Sequence, residues 1–101
     1  MNNSEIRASQ QELHKTLREL AISVESFATD VANTLNEITK SIKELGASWE
    51  GEGYDKFKGT MEREIEKGNK GIKLAKDLNA KLSERAKEAE QFINFLKSIG
   101  A

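Results

Sequence analysis

The chain has 101 residues and a mass of 11.3 kDa, with 16 basic and 17 acidic side chains and a formal net charge of −1. That is room for one domain, and it excludes the strongly basic balance of a dedicated nucleic-acid binder. There is no cysteine and no proline, so disulfides, thiolate metal sites and cysteine nucleophiles are ruled out and the strongest helix breaker is missing.

The N-terminal stretch MNNSEIRASQQELHK lacks the basic-then-apolar pattern of a cleaved signal peptide. No segment approaches the roughly 18 uninterrupted apolar residues of a membrane span. The expectation is a protein made in the cytoplasm with no stable membrane insertion.

The first predicted element is a helix over about residues 4–45. Leu13, Leu17, Leu20, Val24, Phe27, Val31, Leu35, Ile38, Ile42 and Leu45 recur at steps of three and four, the mark of a helix with one buried face. Ala21, Ala28 and Ala32 widen that face, and Ile6 extends it. Ser9-Gln10-Gln11-Glu12 matches a capping box, and Asn3 or Ser4 competes as the N-cap.

The segment 46–52 is the predicted loop. Gly46, Gly51 and Gly53 fall within eight residues beside a capping serine, Ser48, and make the convincing chain reversal. Trp49, the single tryptophan, sits in this reversal and on neither stripe. Its plain structural use is a plug packed on Leu45 and Phe57.

The second predicted helix covers about 53–98. Phe57, Met61, Ile65, Gly68, Ile72, Ala75, Leu78, Leu82, Ala86, Ala89, Ile93 and Leu96 again step by threes and fours, and Tyr54, Leu74, Phe92, Phe95 and Ile99 broaden the stripe. Gly68 lies on the stripe itself. It is either tolerated in a long helix or it admits another helix closely.

These elements predict an all-α fold, an antiparallel two-helix hairpin forming a single domain over 1–101. Two helices cover only part of such wide stripes, and a hairpin of this size buries too little to offset its ordering entropy. The expectation is therefore a dimer, a four-helix bundle formed with itself or with another helical protein. Residues 1–50 carry five basic and eight acidic side chains, and residues 51–101 eleven and nine; packing an acidic arm on a basic one is favourable, at about 0.2–1 kcal/mol per exposed pair.

Chemistry finds little support. His14 is the only histidine, and neighbours such as Glu12 and Arg18 do not make a metal site. Lys67, Lys70, Lys73, Lys76 and Lys81 are spread around their helix after Glu62, Glu64 and Glu66, the pattern of a solvated face. Glu84, Glu88 and Glu90 read as surface carboxylates. No catalytic residue, cofactor or metal is expected.

In its length, its two amphipathic helices and its mid-chain Trp49-Glu50-Gly51 followed by Phe57, the whole chain resembles the small WXG or ESAT-like proteins of bacterial type VII secretion. The resemblance implies antiparallel hairpins that pair into four-helix homo- or heterodimers. It further implies export, folded and without a cleaved signal, through a membrane ATPase, sometimes beside larger toxin effectors. Carried over residue by residue, Trp49 and Gly51 match the loop motif. Many secreted members carry Tyr-x-x-x-Asp/Glu after the second helix; here the only tyrosine is Tyr54, with Lys58 in the fourth position after it. The expectation is pairing with a helical subunit that supplies the signal, either a second small protein or the helical N-terminal domain of a larger toxin. The competing reading is a cytoplasmic coiled-coil adaptor unrelated to secretion.

Overall fold

A computed structural model describes residues 2–100. Two helices, α1 (Asn3–Gly46) and α2 (Glu52–Ser98), account for nearly all of them, and no strand occurs among the described residues. The fold is the expected all-α helical hairpin.

Helix α1 starts earlier than the Ser9 box would place it. Asn2 is the N-cap: its Oδ1 accepts from the Glu5 N–H at 2.8 Å, and its own N–H donates to Glu5 Oε2 at 3.4 Å. This reciprocal pair satisfies two groups at the helix start, and Ser9 lies inside the helix.

The chain leaves α1 through a tight turn. The N–H groups of Ala47 and Ser48 donate to Glu44 and Leu45 carbonyls at 3.2 and 3.1 Å. Gly51 then takes φ +102°, a conformation that costs any residue with a Cβ, and its carbonyl accepts from Asp55 N–H at 3.1 Å to open α2. Glu52 and Asp55 occupy the first turn of α2 and Lys97 the last, charges that complement the helix dipole. Gly100 N–H closes the helix by donating to Lys97 at 3.1 Å.

The chain forms two compact units, one joining residues up to Glu25 with those from Lys76 onward, the other spanning Ser26–Ala75. In the first, Ala21 packs within a seam closed by Ala86, Ala89, Ile93 and Leu96, all buried, with Leu17, Val24 and Leu82 half-buried. In the second, Ala28 and Ile42 are buried, and Val31, Leu35, Ile38, Met61, Ile65 and Ile72 are half-buried. A Cβ on Gly68 would lie 2.8 Å from Leu35 Cδ1. The missing side chain is therefore the seat for Leu35, which decides for close approach over simple tolerance.

The seam keeps Leu17, Val24, Val31, Leu35, Ile38 and Ile42 of the apolar row but shifts by one residue at Leu13, Leu20 and Phe27. His14, Ala21 and Ala28 turn towards α2, while Leu13, Leu20 and Phe27 stand beside the seam and are exposed. On α2, Asn79 is half-buried and Leu78 exposed. A wide stripe offers two adjacent rows, and helices that approach closely set small residues on the line of contact. Leu13, Leu20, Phe27 and Leu78 are left on the flank.

Candidate functional site

Two features stand out from the pairing of the helices: the aromatic loop, and a flank of unpartnered apolar side chains in each unit.

In the loop, Trp49 N–H donates to the Leu45 carbonyl at 3.0 Å, which brings the indole back over the first turn of α2. The ring meets Tyr54 edge-on at 5.7 Å between centroids and Phe57 in a tilted contact at 5.6 Å. The indole edge lies over Gly53, where a Cβ would make ordinary contact at 3.5 Å from Trp49 Cζ2. The indole remains 39% exposed. It is a capping aromatic with a free face.

Tyr54 closes the same turn from within. Its hydroxyl donates to the Ile42 carbonyl at 3.0 Å, and its ring occupies the space where a side chain at Gly46 would stand. Periodicity places Tyr54 merely as a broadening of the second stripe. Its role as a clasp depends on Gly46 and Ile42 across the turn, and spacing along one helix carries no signal for that.

In the unit built on Met1–Glu25 and Lys76–Ala101, the two sides of the seam differ in kind. The residues that precede seam positions (Leu13, Leu20, Leu78 and Phe92) are exposed, Leu20 and Leu78 both at 48%. Between Leu13 and Phe92 runs a groove of about 470 Å³, lined also by Gln10, Leu17, Arg85, Glu88 and Ala89. Phe92 and Phe95 stack at 6.4 Å beside it. The residues that follow seam positions (Arg18, Ile22, Glu25, Ser83, Lys87 and Glu90) line a more polar cavity of about 240 Å³, in which Ile22 is the one large apolar side chain, 62% exposed. There His14 Nε2 lies 3.9 Å from Glu90 Oε2, and Asn79 Oδ1 is buried without a hydrogen-bond partner.

In the unit Ser26–Ala75, Phe27 is 63% exposed and Phe57 lines a groove of about 310 Å³ with Leu45 and Met61. The predicted interface residues thus divide. Leu17, Val24, Val31, Leu35, Ile38, Ile42, Met61, Ile65, Ile72, Leu82, Ile93 and Leu96 join the two helices, whereas Leu13, Leu20, Phe27, Phe57 and Leu78 lie open beside the seam.

Some of the charged residues singled out in the sequence fall into local pairs. Lys67 meets Glu64 at 3.2 Å and Lys70 meets Glu66 at 3.9 Å, both exposed and within one turn. No group of three or more metal-ligating side chains gathers among the described residues, and no helix is long and apolar enough to cross a membrane.

A family model, WXG100, described as proteins of 100 residues with WXG, matches residues 5–92. No curated protein matches, and neither does any solved structure.

Proposed function

We propose, since this chain belongs to the WXG100 family, that it is a pairing subunit of type VII secretion which travels with a helical partner. The family is associated with type VII secretion; it is helical and non-enzymatic, and its members are secreted by type VII systems. For this chain the finer reading is a substrate or targeting partner of a larger effector. It acts by completing a four-helix bundle and leaves the cytoplasm without a cleaved signal peptide.

The observation that supports it is the apolar flank. Leu13, Leu20, Leu78 and Phe92 in one unit, and Phe27 in the other, are left uncovered by the helix that each already packs against. Contiguous exposed apolar surface marks an interaction site, and the natural cover for a pair of helices is a second pair. Trp49 and Gly51 give the loop its shape, and the free face of the indole is open to the secretion ATPase or the partner.

Export with and without the membrane ATPase tests the reading. The chain should be recovered in a complex of defined mass when co-expressed with the products of neighbouring genes, and should accumulate outside the cell only in the strain with an intact ATPase. Equal external amounts in both strains would overturn it.

A further inference from the structure

In the unit Ser26–Ala75, across the seam from the groove beside Phe57, lies a pocket that the pairing of helices does not call for. We infer that it binds a small organic anion with an apolar body, an aryl sulfonate or aryl carboxylate in chemical class.

The pocket has a volume of about 520 Å³, and sites for small organic ligands run to about 300–1,000 Å³. Its apolar lining is the buried Ile42 together with Ala47, Tyr54 and Ile65. It shares only Ile42 with the groove beside Phe57, so a helical partner seated on that flank leaves its mouth free. One wall is fixed before any ligand arrives. The Tyr54 hydroxyl donates to the Ile42 carbonyl at 3.0 Å, and the ring fills the space of a Gly46 side chain. A wall already held in place costs a ligand little ordering entropy.

Charge decides the class of ligand. Lys43 and Lys58 line the pocket with one acidic residue, Glu62, a net +1. Glu62 is engaged with Lys58 at 3.8 Å, whereas Lys43 pairs with no carboxylate among the described residues. Lys43 stands in the last turn of α1, where the helix end contributes roughly −0.5 of a charge, too little to cancel the excess. An apolar body bearing one negative group satisfies lining and charge together. A cation meets Lys43, and an uncharged aromatic leaves that ammonium without a partner.

The test is titration of the purified full chain with anilinonaphthalene sulfonate, read by fluorescence and by backbone amide shifts in NMR, with uncharged phenylnaphthylamine as the matched probe. The sulfonate should saturate at about one molecule per chain and move the amides of Lys43, Gly46, Tyr54 and Ile65. The uncharged probe should bind about tenfold more weakly, for want of a charge-assisted contact. Lys43→Glu, at an exposed position, should weaken the sulfonate about tenfold or more. Ala47→Trp, which fills the pocket, should abolish its binding. Circular dichroism of each variant keeps loss of helix apart from loss of the site, and Lys43→Glu decides alone should Ala47→Trp fail to fold. Shifts centred on Leu13, Phe27 or Phe57, with the pocket amides unmoved, overturn the site. Equal affinity for the two probes, or undiminished binding by Lys43→Glu, overturns the anionic class of ligand. Absence of saturable binding overturns the whole inference and leaves the proposed function standing.

Discussion

Trp49 holds its place through one backbone hydrogen bond to Leu45 and two ring contacts, to Tyr54 and Phe57. Aromatic pairs contribute about 0.5–1.5 kcal/mol each beyond their burial, so Trp49→Ala should cost about 1–2 kcal/mol in urea unfolding. Far-UV helicity should be unchanged, because α1 and α2 begin and end on other groups. A collapse of helicity would show that the indole organises more than the turn. Two glycines of α2 give opposite expectations at the same scale. Gly59→Ala should stabilise by about 0.5–1 kcal/mol, since its Cβ would meet just the tip of Arg63 at 3.7 Å. Gly68→Ala should cost about 1–3 kcal/mol of overpacking against that same propensity gain, because Leu35 already fills the space. Thermal melts that rank the two variants the other way would remove Leu35 from its seat.

At the scale of the element, each helix is amphipathic, and the seam takes part of the apolar row together with alanines while Leu13, Leu20, Phe27 and Leu78 stay outside. Leu13, Leu20 and Phe27 are legible as members of an apolar face from their spacing alone. Their position beside the contact line is not, because a stripe of threes and fours fits a line through Leu13 and Leu20 as well as one through His14 and Ala21. The distance between the helices chooses, and that distance belongs to the pair. Asn79 shows the cost of the choice: the seam takes a carboxamide whose oxygen finds no donor, while its neighbour Leu78 faces outwards. An unmet buried acceptor costs about 1–3 kcal/mol, so Asn79→Leu, of the same branching though bulkier, should raise stability by about 1–2 kcal/mol on that scale. A lower midpoint in urea would mean that Asn79 is satisfied by solvent in the polar cavity beside it.

At the scale of the molecule, large apolar side chains stand exposed in each unit. Leu20→Asp should therefore leave the isolated hairpin about as helical as before, since Leu20 is already 48% exposed, and yet abolish association. A carboxylate trapped in an apolar interface without a partner is strongly disfavoured. Sedimentation checks this directly: a persisting oligomer of unchanged mass would place the interface elsewhere. Loss of helix in step with loss of association would instead show that pairing is needed for folding, the behaviour of an obligate dimer.

Read in order along the chain, the residues establish the fold class, the reversal near Gly46–Gly53 and an apolar stripe wider than one helix can cover. Helical periodicity, glycine placement and stripe width are all properties of a single chain. The packed pair settles which of two adjacent rows is buried, that Leu35 rests on Gly68, and that Tyr54 clasps Gly46 and Ile42. Each of these depends on the register and spacing of two helices brought side by side. Those quantities arise from their mutual packing, which residues taken singly do not contain.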